Sequence, residues 1–212
     1  GMPGMTAWIG LNHFCEPKQG ESVFVTAAAG AVGSMVGQLA KIRGCHVVGA
    51  AGSDDKVNHL VRELKFDAAF NYKTTTYAQG IEKYMPNGID VYFDNVGGDA
   101  LDQALIHMNK FGRIALCGAI SQYNLDETPQ GPRLTWLMIG KAIKMQGFIV
   151  GYYRELWPKA AEEMAQYLQS GQLRIEETEF RGIENVPRAF VGLMSGENTG
   201  KMIVKVSERA LN

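Results

Sequence analysis

The sequence lacks the features of several large classes of protein. Its three cysteines form no CxxC pair and its four histidines show no HxxxH or HExxH spacing, so we expect no zinc site. Its 21 basic and 22 acidic residues nearly balance, which argues against nucleic-acid binding through bulk positive charge. Apolar runs are too short for a membrane span of roughly 18–20 residues. No cationic segment precedes an apolar one at the N-terminus, so we expect no signal peptide, no membrane and a cytoplasmic protein with free thiols.

Short apolar runs alternate with longer segments of helical periodicity along most of the chain. The predicted strands are residues 22–27, 46–51, 68–71, 89–94, 113–119 and 144–150. The predicted helices are residues 31–43, 54–64, 76–84, 99–109, 136–141 and 154–170. Because the strands are almost continuously apolar, we expect helices on both faces of the sheet. The pattern predicts an α/β fold, a Rossmann-type doubly wound parallel sheet of about six strands.

The pattern changes after about Gly171. Residues 173–180 alternate apolar and charged side chains as in a half-exposed strand, and a helix over 186–193 and a strand over 201–206 follow. We therefore expect a nucleotide-binding domain over residues 1–171 and part of a smaller unit over residues 172–212. The polar loop 121–131 is long enough to have a function of its own.

A glycine-rich turn follows the first predicted strand and precedes a predicted helix. It has the G-x-G-x-x-G pattern with Ala28 in the first position and Gly30 and Gly33 in the other two. Gly30 would admit a pyrophosphate, Gly33 would let the helix pack on the strand, and the helix N-terminus would attract the anion. The pattern favours dinucleotide binding, with close packing of helix on strand as the alternative.

The end of the second predicted strand indicates which dinucleotide is bound. An NAD site usually has a carboxylate there for the ribose, but this strand ends in Ala51 and is followed by Ser53 and Lys56. These two side chains can donate hydrogen bonds to a 2′-phosphate, so we expect NADP(H). Asp54 and Asp55, in the first turn of the helix, are expected to point away. The alternative for Lys56 is a solvated lysine on a helix surface.

Several sequence blocks occur in one order along almost the whole chain. The sequence resembles the zinc-independent medium-chain dehydrogenase/reductases, in the branch of leukotriene B4 12-hydroxydehydrogenase/prostaglandin reductases, plant alkenal double-bond reductases and bacterial curcumin reductase. The matching blocks are GMPGMTAW (1–8), AAAGAVGS (27–34), GSDDKV (52–57), FDAAFNYK (66–73), YFDNVGG (92–98), GRIALCGAISQYN (112–124), GFIV (147–150) and GENTGKMIVKV (196–206).

The resemblance implies a set of cofactor-binding residues. The pyrophosphate would be bound at Gly30, Ala31, Val32 and Gly33. The 2′-phosphate would be bound by Lys56 and Tyr72, beside Ser53. The nicotinamide side would be formed by Cys117, Gly118, Ala119, Ile120, Ser121 and Tyr123 and by the backbone of Phe148, Ile149 and Val150. Asn95, after the fourth strand, and Asn198, in the tail, would also lie near the cofactor.

Some of these residues also have purely structural explanations. Tyr72, Cys117 and Phe148 are apolar enough to belong to the core. Asn95 and Asn198 lie beside glycines, in segments where turns place asparagine.

The resemblance also implies an activity, the NADPH-dependent reduction of the carbon–carbon double bond of a small hydrophobic enal or enone. Hydride would reach the β-carbon, and Tyr123 is the candidate catalytic residue that orients the nicotinamide ribose or relays a proton to the enolate. Two alternatives remain: an NADPH-dependent quinone reductase, and a non-catalytic NADP(H)-binding chain.

Relatives in that family carry a GroES-like catalytic domain in front of this region. We therefore expect residues 172–212 to return to such a domain, and we expect this chain to be a truncated enzyme that is inactive alone. The strand over 144–150 is a candidate edge for a homodimer, because an exposed apolar strand edge favours pairing.

Overall fold

The computed structural model describes residues 1–127 and 129–207, so Thr128 of the polar loop and residues 208–212 of the tail lie outside it. Within this range the main sheet has six strands: β1 (Ser22–Val25), β2 (His46–Ala51), β3 (Ala68–Asn71), β4 (Ile89–Asp94), β5 (Met108–Leu116) and β6 (Lys144–Gly147). Their pairings are parallel, in the order β3-β2-β1-β4-β5-β6. This order is that of the Rossmann fold and confirms the predicted fold class.

Helices cover both faces of the sheet. They are α1 (Met2–Trp8), α2 (Gly33–Ile42), α3 (Asp54–Arg62), α4 (Tyr77–Tyr84), α5 (Asp99–His107), α6 (Thr135–Lys141) and α7 (Trp157–Gln169). A further helix, α8 (Val186–Ser195), lies in the C-terminal tail and packs against the strand Lys201–Lys205. Successive strand residues point to opposite faces, so Val23 and Val25 enter the core beneath α2 while Phe24 packs with Tyr92 under α4 and α5. Burial of both faces explains the almost continuously apolar strands.

The N-terminal segment completes one of these layers. After α1, residues Ile9–Cys15 form a π-helix that packs under the sheet. A side chain at Gly10 would strike the rings of Phe93 and Phe148, which explains the glycine. The Trp8 indole N–H donates to a carboxylate oxygen of Glu163 on α7 at 3.0 Å, so the first residues of the chain belong to this domain.

Several predicted boundaries within the sheet and its helices were wrong. The helix predicted to Asn109 ends at His107, and the strand predicted over 113–119 covers Met108–Leu116. Phe111 interrupts this strand with a φ of 64° and a register shift opposite β4. The strand predicted to Val150 ends at Gly147, and a 3₁₀ segment, Val150–Leu156, replaces the start of the last predicted helix. Pro158 favours the first turn of α7, which therefore begins at Trp157 rather than Arg154.

The C-terminal tail forms a separate parallel strand pair, β7 (Glu177–Arg181) and β8 (Lys201–Lys205). The strand predicted over 173–180 was therefore partly wrong. Leu173 is buried in the main core, and the Arg174 amide donates to the side-chain oxygen of Gln38 on α2 at 2.8 Å. The division into residues 1–171 and 172–212 stays a prediction.

Two other expectations concern surfaces. None of the helices in residues 1–127 and 129–207 is long and apolar enough to cross a lipid bilayer. Strand β6 is the last strand of the sheet, so one of its edges is not paired within the sheet. Dimer formation through this edge stays a prediction.

The packing of α2 on the sheet predicts a cost for any side chain at Gly37. A Cβ there would overlap the ring of Phe66, which is buried and also lies 3.1 Å from the Cβ position of Gly49. We expect Gly37→Ala to lower the free energy of unfolding by about 1–3 kcal/mol, measured by urea denaturation.

Gly140 on α6 provides the matched control, because a Cβ there meets no heavy atom within 4 Å. Gly140→Ala is expected to leave stability unchanged or to raise it by up to about 1 kcal/mol. Equal denaturation midpoints for the two variants would contradict this account of α2 packing.

Candidate functional site

A cleft of about 570 Å³ opens at the carboxyl ends of the strands. Its walls come from the β1–α2 turn, from the end of β2 with Lys56, and from the segment after β3. The remaining walls are the β4–α5 loop, Ile120 and Ser121, and the tail from Leu193 to Met202. The turns after β1 and β4 flank the point where the strand order reverses, which is where ligands bind in such sheets.

The β1–α2 turn lines the cleft immediately before the N-terminus of α2. Ala27 adopts a φ of 47°, and the Gly30 amide donates to the Ala27 carbonyl at 3.0 Å. A Cβ at Gly33 would lie 2.8 Å from the Ala28 Cα and even closer to the Ala27 carbonyl oxygen, so the turn requires glycine there. The first amides of a helix have no intrahelical acceptor, and Gly30 and Ala31 line the cleft. The turn therefore fits an anionic pyrophosphate.

A buried carboxylate holds the loop after β4. Asp94 is 1% exposed, and its Oδ1 accepts hydrogen bonds from the Tyr92 hydroxyl at 2.7 Å and from the Val96 and Gly97 amides at 2.9 Å each. The Thr26 hydroxyl donates to the same oxygen at 3.3 Å. Burial, and then the charge of Asp94, raises the pKa of Tyr92, so its phenol stays protonated and donates.

The same network joins the β1 and β4 loops. The Asn95 amide donates to the Thr26 hydroxyl at 3.0 Å, and the Asn95 side-chain nitrogen donates to the Thr26 carbonyl at 2.8 Å. The two loops on either side of the strand-order reversal are thus held at a fixed separation. Asn95 therefore has a structural role in this network, and its contact with the cofactor stays a prediction.

The end of the cleft at β2 and β3 carries positive charge. The Ser53 hydroxyl accepts the Lys56 amide at 3.4 Å and caps α3. The Lys56 ammonium donates to the Gly196 carbonyl of the tail at 2.6 Å. Its pKa is lowered by burial and then by the neighbouring charge of Lys73. Tyr72 stacks on Tyr77 with ring centroids 5.8 Å apart, so an aromatic pair lies next to the lysines.

The acidic residues near this end do not line the cleft. Asp54 and Asp55 are exposed on α3, and Asp54 Oδ1 accepts a hydrogen bond from the Asn71 side chain at 2.8 Å. Neither is among the cleft-lining residues in the part of the chain that the structure describes. The tip of β2 therefore has the serine and lysine of the predicted site and no carboxylate facing the cavity.

The loop after β5 is held by backbone contacts to the same carboxyl end. The Cys117 and Gly118 amides donate to the Asp94 carbonyl at 2.9 and 3.1 Å. The Tyr123 hydroxyl accepts the Ala119 amide at 2.9 Å, which leaves the phenolic proton available. Burial, together with the charge of Asp94, raises the pKa of the Cys117 thiol to about 12, so Cys117 is a neutral thiol at physiological pH and not a nucleophile.

The predicted site residues fall into two groups. Those that line the cleft are Gly30, Ala31, Lys56, Tyr72, Ile120, Ser121 and Asn198. Those outside its lining are Val32, Gly33, Ser53, Asn95, Cys117, Gly118, Ala119, Tyr123, Phe148, Ile149 and Val150. Phe148 packs against Phe14 at 5.2 Å, so its side chain belongs to the core. Tyr123 is exposed and lies beyond the cleft on the β5 side. Cofactor contact by these residues stays a prediction.

Sequence reasoning missed several residues of the cleft. Tyr77 and Lys73 were not predicted to be in it, although Lys73 directly follows Tyr72 in a matched block. The tail wall from Leu193 to Gly196 was missed as well. Asp94, the last residue of a buried strand, carried a signal that was not used: a charged residue in an apolar run requires partners.

One known protein family matches most of the chain. The profile of the family described as zinc-binding dehydrogenase matches residues 31–166. The chain belongs to this family. Its relatives place it in the branch of the alkenal and prostaglandin reductases, which confirms the resemblance.

Two curated members of the family and one solved structure are close to the chain. It is 50% identical to the NADP(+)-dependent 2-alkenal reductase of Nicotiana tabacum, covering 98% of this chain and 60% of that protein. It is 49% identical to prostaglandin reductase 1 of Mus musculus, covering 97% and 63%. The structure of CurA from Vibrio vulnificus in complex with NADPH matches with a TM-score of 0.94 and 43% identity, covering 99% and 64%. The chain therefore spans about 60% of the length of these curated relatives.

The family description names zinc, whereas the sequence predicted no metal site. Across residues 1–127 and 129–207, His, Cys, Asp and Glu side chains form no group of three or more that could hold a metal ion.

Because four groups share one oxygen of Asp94, removal of this carboxylate should destabilise the protein. Asp94→Ala removes the common acceptor of two backbone amides and two hydroxyls in a buried setting. We expect the free energy of unfolding to fall by about 3 kcal/mol, measured by chemical denaturation. Asp126→Ala, at an exposed loop position, is the control and should change stability by less than about 0.5 kcal/mol. Similar losses in both variants would argue against the network.

Proposed function

We propose that this chain is the NADP(H)-binding part of an oxidoreductase that reduces the carbon–carbon double bond of α,β-unsaturated aldehydes and ketones. The cleft is the observation that supports the assignment of NADP(H) as the cofactor. The glycine turn that leads into α2 forms one wall, and Lys56 lies beyond the end of β2. Among the described residues, the carboxylate that lines the cleft, Asp99, lies on the β4–α5 side and not beside Lys56. This arrangement suits a pyrophosphate at one point and a 2′-phosphate at the other.

The reaction class is supported by the names of the relatives, a 2-alkenal reductase and a prostaglandin reductase. NADPH, when bound, supplies hydride to the β-carbon of the substrate. The chain contributes the amides of the β1–α2 turn, which would bind the pyrophosphate, and the Asp94 network, which positions the adjoining loops. A small hydrophobic enal or enone is the proposed substrate class.

Tyr123 is the proposed catalytic residue. Its hydroxyl accepts the Ala119 amide at 2.9 Å, so its own proton is free to be donated to a ribose hydroxyl or to the enolate oxygen. A hydrogen bond to the developing negative charge stabilises such an intermediate. The side chain is exposed and can therefore meet a substrate that approaches from outside the cleft.

A catalytic domain of GroES type is the proposed neighbour of the tail. Helix α8 exposes Phe190, Val191 and Met194, and such an apolar surface favours burial against another domain. Residues 172–212 would belong to that domain, and the chain alone would bind cofactor without turning over substrate.

We also propose that two copies of the chain pair through the sheet edge at residues 144–150. Cys15, Cys45 and Cys117 are free thiols, which favours a reducing compartment such as the cytoplasm.

The cofactor is tested by titrating the chain with NADPH and with NADH. We expect NADPH to bind at least about tenfold more tightly, because Lys56 adds a charge-assisted hydrogen bond to the 2′-phosphate. Lys56→Ala should remove most of this preference, while Lys110→Ala, at an exposed position on β5, should keep it. Tighter binding of NADH by the unaltered chain would refute the cofactor assignment.

The reaction is tested after the chain is joined to the N-terminal part of the tobacco 2-alkenal reductase, and the chain alone is assayed beside it. We expect NADPH oxidation with a 2-alkenal only in the fusion, and a Tyr123→Phe fusion that is about 10²-fold slower with an unchanged Kd for NADPH. Unchanged turnover would remove Tyr123 from the mechanism. Faster turnover of a quinone than of the alkenal would favour the alternative, a quinone reductase.

A further inference from the structure

We propose that Lys73 is a second cation of the 2′-phosphate subsite and a determinant of the preference for NADPH over NADH. The proposal rests on the cofactor assigned above and adds a residue that neither the glycine pattern nor the tip of β2 indicates.

The turn after β3 holds Lys73 at the cleft. The amides of Thr74 and Thr75 donate to the Asn71 carbonyl at 3.1 and 2.9 Å, and the Lys73 amide donates to the Asn71 side-chain oxygen at 3.1 Å. This turn is therefore closed by its own hydrogen bonds. Lys73, Lys56 and Tyr72 line the same cavity.

The two lysines are close enough to influence each other. The charge of Lys73 contributes to the lowered pKa of Lys56, after burial. Among the described residues, the carboxylate that lines the cleft is Asp99, on the β4–α5 side, where it accepts a hydrogen bond from Gln103 at 3.4 Å. The two ammonium groups repel each other, and a bound dianion relieves that repulsion.

The lysines differ in how much hydrogen-bonding capacity is already used. One Lys56 proton is bound to the Gly196 carbonyl at 2.6 Å, which leaves two. The Lys73 side chain is exposed, with no hydrogen-bond or ion-pair partner recorded for it within residues 1–127 and 129–207. A phosphate monoester carries a charge of about −1.5 to −2 at neutral pH, so one lysine would leave it partly uncompensated. NADH, which has a hydroxyl in that place, gains nothing from a second ammonium group.

The experiment compares Lys73→Gln, Lys73→Arg and the control Lys110→Ala in the full 212-residue chain. Kd values for NADPH and NADH are measured by fluorescence titration at low and at high salt. We expect Lys73→Gln to raise the Kd for NADPH about tenfold and to reduce the salt dependence of NADPH binding. The Kd for NADH should change less than about twofold. Lys73→Arg should restore NADPH binding because the charge is kept, and Lys110→Ala should match the unaltered chain.

Each outcome decides the matter. If the unaltered chain prefers NADPH and Lys73→Gln keeps that preference, the proposal for Lys73 is wrong and the proposed function is unaffected. Equal weakening of NADPH and NADH would also overturn it, since that result indicates a damaged turn, and equal melting temperatures of the variants check the turn independently. If the unaltered chain has no preference for NADPH, both proposals fail.

Discussion

The buried carboxylate of Asp94 is the interaction on which the geometry of the cleft depends. It lies at the end of β4, beside the point where the strand order reverses, and its Oδ1 is shared by two hydroxyls and two amides. A charge in such a place is tolerated only when it is extensively hydrogen-bonded. Because Thr26 and Asn95 belong to the same network, the carboxylate positions the β1 loop and the β4 loop together, and the phosphate-binding turn starts from a fixed base.

The tail is the second constraint on the site. The Gly200 amide donates to the Ala29 carbonyl at 2.8 Å, so β8 begins directly on the glycine turn. Gly200 has a φ of 69°, and a side chain there would strike the Glu176 carbonyl. With Lys56 bound to the Gly196 carbonyl, the tail forms one wall of the cleft. Cofactor binding and the docking of the tail are therefore expected to depend on each other.

The chain is shorter than the relatives it matches, and one of its surfaces is apolar and exposed. The match extends over nearly all of this chain but over only about 60% of the length of the curated relatives. The described residues form a complete parallel sheet covered on both faces, whereas α8 exposes apolar side chains at the cleft rim. Ligand sites often lie at domain interfaces, which agrees with the proposal that a second domain packs on this rim.

The sequence by itself determined the fold class, the strands β2, β3 and β4 to the residue, the glycine turn and the family. These follow from local signals: apolar runs buried on both faces, and glycines where a Cβ has no room. Only the tertiary structure decided the ends of β5 and β6, the docking of Leu173 in the core, and the meeting of Lys73, Tyr77 and the tail in one cleft. Those features depend on contacts between residues far apart in the chain, and no periodicity or spacing within a segment records which distant segment it will meet.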